Sequence, residues 1–148
     1  LDAAKPGTIG GTYLGNPVSC AAALATLRFM QEHGINQKAI EIGDRIRTRL
    51  NELKQRCPAI GDVRGLGAMM AFELVKNNDP HQPDTRRSAH LWNAALHGGW
   101  LTLAAGSYKN VVRLLVPLTI SAQLLNRGLD IIEEELLRLT ASQSSQKL

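Results

Sequence analysis

Arg64-Gly65-Leu66-Gly67-Ala68-Met69-Met70-Ala71-Phe72-Glu73-Leu74-Val75 is the stretch on which the fold turns. Glycines on either side of Leu66 predict a bulge or a tight turn between strands. The apolar run 68–75 behind them is short, bounded and free of proline, which predicts a buried strand. Before it, residues 60–63 read as a further short strand. After it come two more, 100–104 and 111–116. The turn Gly106-Ser107-Tyr108-Lys109-Asn110 separates them, and Pro117 closes the second.

Helices surround these strands. Residues 17–33 begin with a proline that suits a first helical turn, are small and apolar on most sides, and end at Gly34 as a C-cap. A helix of that kind is expected to pack against other protein all round. Residues 36–56 carry Ala39, Ile42, Ile46, Leu50 and Leu53 at helical spacing, with Asn36 as N-cap and charges on the other face. Residues 85–97 are expected to turn Ala89, Trp92, Ala95 and Leu96 inward. Residues 121–139 start at the cap Ser121 and bear Leu124, Leu125, Leu129, Ile132, Leu136 and Leu139, with Glu133, Glu134 and Glu135 facing out. The order helix, helix, strand, strand, helix, strand, strand, helix implies an α+β fold, with helices packed on a small, mostly antiparallel sheet. The expected organisation is a loop and linker at 1–16, a domain at 17–140 and a flexible polar tail at 141–148.

The 148 residues allow a real core. Aromatic residues are only 4%, so that core must be aliphatic. The net charge of +4 comes from 17 basic and 13 acidic residues scattered among each other, with no basic run interleaved with aromatics. That speaks against nucleic acid and is compatible with an acidic small molecule. No stretch is apolar for long enough to span a membrane. Cys20 and Cys57 lack metal spacing and read as free thiols of a reducing compartment, the cytoplasm. His33, His81, His90 and His97 form no metal or triad pattern, and Ser19 and Ser107 have no adjacent base. Lys5 and Lys109 read as exposed loop lysines. The chain opens on Leu1 without an initiator Met and without a signal peptide. It is therefore expected to be a piece or a processed product of something longer.

Two features carry chemistry. Gly10-Gly11-Thr12-Tyr13-Leu14-Gly15-Asn16-Pro17 places glycines and a hydroxyl just before a helix start. Such a loop can cradle a phosphate on Thr12 and on backbone N–H groups; it can equally be a glycine-rich turn that caps the helix. The second feature is Arg113 in Val111-Val112-Arg113-Leu114-Leu115-Val116, on the same strand face as Val111 and Leu115. A guanidinium there can grip a substrate carboxylate with two parallel hydrogen bonds. It can also pair with Glu73, or stand in water on an edge strand.

Three segments in register resemble one family. The glycine loop with its Ala-rich helix, Val63-Arg64-Gly65-Leu66-Gly67-Ala68-Met69, and Asn110-Val111-Val112-Arg113-Leu114-Leu115-Val116-Pro117-Leu118-Thr119-Ile120 are similar to markers of the C-terminal part of class III pyridoxal-phosphate aminotransferases. The stretch 103–120 most resembles bacterial 4-aminobutyrate aminotransferases. Many members have two prolines where this chain has Val116-Pro117. The resemblance implies that Thr12, helped by the backbone of Gly11, binds the phosphate of pyridoxal 5'-phosphate, that of the neighbouring subunit across a dimer interface. It implies that Arg113 grips the α-carboxylate of glutamate or 2-oxoglutarate, and that Arg64-Gly65-Leu66-Gly67 is chiefly structural. It places the family's Schiff-base lysine and the aspartate paired with the pyridine nitrogen upstream, in a large domain not present here. No residue of this chain is then catalytic, none binds metal, and the fragment alone is expected to be inactive. A different reading is a stand-alone, non-catalytic module that uses this fold to dimerise or to bind a partner.

Overall fold

The computed structural model describes residues 3, 5–8 and 10–144. The chain divides into two compact units, Leu1–Asn36 and Gln37–Leu148.

The first unit is the glycine loop and helix α1 (Pro17–Glu32). Pro17 stands at the first helical position, and the Asn16 side chain caps the helix by accepting from the Ser19 N–H at 3.1 Å. At the other end His33 is the C-cap, and Gly34 follows it with φ +58°, the left-handed residue that stops many helices. No residue of α1 is buried: Val18, Leu24 and Leu27 are 78%, 54% and 57% exposed. Its apolar side chains are left open by the first unit.

The second unit takes in most of α2 (Ile35–Arg56). It continues with β1 (Ile60–Leu66), β2 (Met69–Leu74), α3 (Thr85–His97), β3 (Leu103–Ala105), β4 (Val111–Leu115) and α4 (Ala122–Ser144). The strands form one sheet in the order β1-β2-β4-β3, with every neighbouring pair antiparallel. The expected fold class is therefore the observed one. Leu66 and Met69 are paired across a two-residue turn whose first central residue, Gly67, has φ +51°. Helix α2 lies directly on this turn. A Cβ on its Gly43 would fall 2.0 Å from the Gly67 carbonyl oxygen, so the helix can sit there only with glycine.

Several expectations need correction. The run 68–75 is not buried on both sides. Met70, Phe72 and Leu74 point into the core, whereas Met69 is exposed and Ala71 and Glu73 are half-buried. The inner face packs on Ile46, Leu50 and Leu53 of α2, Leu91 of α3 and Leu125, Leu129, Ile132 and Leu136 of α4. In α3 the inward residues are Ser88, Leu91 and Ala95, and Leu96 is 57% exposed. Helix α2 starts at Ile35, one residue before the expected cap, and the expected strand 100–104 shrinks to the three residues of β3.

In α4 the cap Ser121 accepts from the Leu124 N–H, but Leu124 itself is exposed. Glu133 does not face out. Arg49 and Arg56 of α2 both bind it, and Arg56 followed by Arg49 holds its carboxyl below the ordinary carboxylate range. Helix α4 continues through residues 141–144 of the expected tail; residues 145–148 lie outside the described residues.

Candidate functional site

Arg113 is exposed on the outer face of the sheet, where strand alternation carries it. Its register partners are Ala71 on β2 and Leu103 on β3. The rows of that face follow from the pairing. Leu66, Met69 and Leu115 form an apolar row beside the hairpin turn. Arg64, Ala71, Arg113 and Leu103 form the next row. Asp62, Glu73, Val111 and Ala105 form the third. The inner rows, Val63, Phe72, Val112 and Ala104 with Gly65, Met70 and Leu114, back onto the core.

Strand β4 is pinned where it starts. Asn110, 1% exposed, donates from Nδ2 to the Leu74 carbonyl at 2.9 Å, and its own carbonyl accepts from the Leu74 N–H at 2.8 Å. The turn before it is held to α3, because the Thr85 hydroxyl donates to the Tyr108 carbonyl at 2.8 Å. Arg113 thus stands on a fixed backbone, three residues beyond a buried anchor.

The electrostatics of the face separate its two arginines. Arg64 Nη1 lies 2.7 Å from Asp62 Oδ2 and 2.9 Å from Glu73 Oε2. Asp62 raises the pKa of Arg64 most, partial burial acts against it, and Glu73 adds to the rise. Arg113 forms no ion pair or side-chain hydrogen bond with any described residue. Of the alternatives open in the sequence, the pair with Glu73 is not formed: the oxygens of that carboxylate accept from Arg64 at 2.9 Å and from Asn110 at 3.0 Å. Sequence reasoning missed Asn110 and the partnership of Arg64 with Glu73. The signal available was a strand acid, Glu73, lying within the same hairpin as Arg64.

The glycine loop belongs to the first unit. Its helix end is capped by its own chain: Pro17 has no N–H, Asn16 takes that of Ser19, and the Cys20 N–H bonds the Asn16 carbonyl. Of the N–H groups in the first helical turn, that of Val18 bonds no described residue, so an anion at this loop would rest on the loop and on at most that one helix-end donor. Thr12 is exposed, and neither its hydroxyl nor the N–H groups of Gly11 and Thr12 bond a described residue. A Cβ on Gly10 would meet nothing within 4 Å, and one on Gly11 only Leu14 Cγ at 3.9 Å. Neither glycine has positive φ. The chain's own packing does not call for glycine at either position, whereas the close approach of a phosphate would.

Elsewhere the described residues hold no group of three or more side chains able to bind a metal. No helix of the described residues is long and apolar enough to cross a membrane. Cys20 is exposed and Cys57 buried, both as free thiols.

The family model of the class III aminotransferases matches residues 1–136. The chain belongs to this family. It is 50% identical over 133 residues to the probable 4-aminobutyrate aminotransferase of Bacillus subtilis strain 168, covering 90% of this chain and 30% of the relative. It is 40% identical over 134 residues to the 5-aminovalerate aminotransferase DavT of Pseudomonas aeruginosa, covering 90% and 32%. Among solved structures it is similar to an amine transaminase from an uncultivated Pseudomonas species in a PLP-bound form. There the TM-score is 0.77 and the identity 29%, over 88% of this chain and 30% of that one. The chain thus spans about 30% of the length of the curated relatives it matches.

Proposed function

We propose that this chain is the C-terminal part of an aminotransferase that moves an amino group from 4-aminobutyrate, or a similar ω-amino acid, to 2-oxoglutarate with pyridoxal 5'-phosphate as cofactor. The observation that carries the reading is Arg113: a guanidinium without a carboxylate partner, held on a pinned strand. It sits at the position where the family resemblance calls for a substrate carboxylate to bind. The names of the relatives support ω-amino acids as donors.

The residues present fit the cofactor. Thr12 would donate its hydroxyl to the phosphate, and the N–H of Gly11 would add a second donor beside it. Pyridoxal phosphate, when bound, supplies the electron sink for moving an amino group between carbon skeletons. This chain's own part is binding and orientation. Arg113 would hold the α-carboxylate of glutamate or 2-oxoglutarate and so fix which carbon meets the cofactor. No catalytic residue is assigned within the chain; the cofactor-bearing lysine belongs to the larger domain, and the isolated chain is inactive on this reading. The open apolar sides of α1 support an assembly in which that domain and a second subunit of a homodimer cover them. Two free cysteines agree with a cytoplasmic enzyme.

The full-length enzyme, assayed with 2-oxoglutarate, is expected to form glutamate from 4-aminobutyrate and more slowly from 5-aminovalerate. Absence of glutamate with every ω-amino acid would overturn the assignment. In the same enzyme Thr12→Ala should loosen the cofactor. Losing one charge-assisted hydrogen bond, about 1.5–3 kcal/mol, lowers affinity by roughly 10- to 150-fold. Absorbance of the retained cofactor after gel filtration reads this directly, and equal retention would remove Thr12 from the phosphate site.

A further inference from the structure

Strand β1 ends the order β1-β2-β4-β3, so it has β2 on one side and a sheet edge on the other. In an antiparallel pair, successive residues turn their N–H and C=O groups alternately toward the neighbour and away from it. The groups turned away form a row on which another strand can pair. Two carbonyls of that row on β1 are taken by cations of α2. Arg47 Nη2 donates to the Gly65 carbonyl at 2.9 Å, and Lys54 Nζ donates to the Gly61 carbonyl at 2.7 Å.

Helix α2 runs along this edge in the direction opposite to β1. Gly43 lies against Gly67, Arg47 reaches Gly65 and Lys54 reaches Gly61. Positions 43, 47 and 54 fall within about 40° of one another around a helix of 3.6 residues per turn. One narrow stripe of α2 therefore follows the edge, while the stripe beside it, Ile46, Leu50 and Leu53, enters the core.

Both acceptor residues are glycines, so no side chain of their own shields either carbonyl. A Cβ on Gly65 would fall 2.3 Å from the Met69 carbonyl oxygen, so the hairpin needs glycine there. Gly61 lies at the register shift between Ile60 and Asp62, where the strand is already irregular. An edge strand bound to carry glycine has to be protected from another element.

We propose that Arg47 and Lys54 close the β1 edge against a second copy of this chain, which would otherwise add its own β1 there. Pairing of β1 with β1 about a two-fold axis is self-complementary and would bring the Arg47 and Lys54 cations of both copies together. It would also displace them from the carbonyls they now satisfy. The inference goes beyond the aminotransferase reading and depends on neither Arg113 nor Thr12.

In the full-length enzyme, Arg47→Met with Lys54→Met keeps two long side chains and removes both donors. Held at a fixed interval below its own melting temperature, this variant should self-associate roughly five- to tenfold faster by light scattering, each lost contact counting as a partly exposed charged one. Hydrogen exchange of the assembled material should show new protection in the peptide 60–66. Lys38→Met with Arg45→Met is the charge-matched control: both residues lie on α2, neither bonds a described residue of β1, and the wild-type rate is expected. Arg47→Lys with Lys54→Arg keeps a donor at each place and should also behave as wild type. If the double variant fails to fold, Lys54→Met alone carries the test, with an increase of about two- to threefold. A rate equal to that of the control would overturn the inference. So would faster association without protection of 60–66, because a different surface would then be responsible.

Discussion

Phe72→Ala should lower the stability of the second unit by about 3–5 kcal/mol, the cost of emptying a large aromatic site in a packed core. Phe72 is fully buried in the middle of β2, flanked on the inner face by Val63 and Val112. The side chains around it belong to one packed core cluster, so little of the gap can be filled by their movement. A domain of this size has about 5–15 kcal/mol to lose. The urea midpoint should therefore fall by more than about 1 M, given a slope of about 1–3 kcal/mol/M.

The control is Met69→Ala on the same strand. Met69 points to the other face and is 56% exposed, so its loss should stay within about 0.5 kcal/mol. A larger loss at Met69 than at Phe72 would mean that the register is wrong, since a slip of one residue exchanges the two faces of a strand.

That face assignment is where sequence reasoning and structure part. The body of helix α2 was legible because Ile46, Leu50 and Leu53 are set against a charged face, although its start at Ile35 was not. Strand β2 was legible as a strand but not as a one-sided one. Met69 and Ala71 are apolar although they face outward, and that masks the alternation. Leu66 and Leu115, 84% and 62% exposed beside Met69, mask it in the same way on β1 and β4. In α3 most of the inward stripe was read one residue too far along, at Ala89 and Trp92 instead of Ser88 and Leu91. The polar start of that stripe is invisible without its partners: Arg87 is buried against Asp84, which also caps the helix.

The site was legible in its residues and not in its wiring. Arg113 stood out as a charge within an apolar strand, and alternation put it on the correct face. The strand order β1-β2-β4-β3 sets Arg64 on one side of Glu73 and Arg113 on the other. Strand order is a long-range property that no local pattern encodes. For Thr12 the motif pointed to a phosphate, whereas the sharing of N–H groups between Asn16 and the helix end appears only in three dimensions.

Arg113→Ala in the full-length enzyme should raise the KM for 2-oxoglutarate roughly 100-fold, with the cofactor still bound. A bidentate guanidinium–carboxylate pair contributes two charge-assisted hydrogen bonds. Losing it costs about 3 kcal/mol, and each 1.4 kcal/mol is a factor of about ten. Arg113→Lys keeps the charge but offers a point donor in place of a fork, so it should recover only part of the loss. The chain itself should tolerate both changes. Arg113 is exposed and bonds no described residue, so its removal leaves no buried group unpaired, and thermal melting should move by no more than a degree or two. This combination, a large kinetic effect beside an almost unchanged melting temperature, distinguishes a carboxylate-binding residue from a structural one. A lowered melting temperature with unchanged KM would mean that Arg113 serves the fold, and an unchanged KM by itself would remove it from the substrate site. Deamination of 4-aminobutyrate supplies the sharper comparison. If the same arginine serves both substrates, the two KM values rise together; if it serves only 2-oxoglutarate, the donor's KM stays where it was while that of the acceptor climbs.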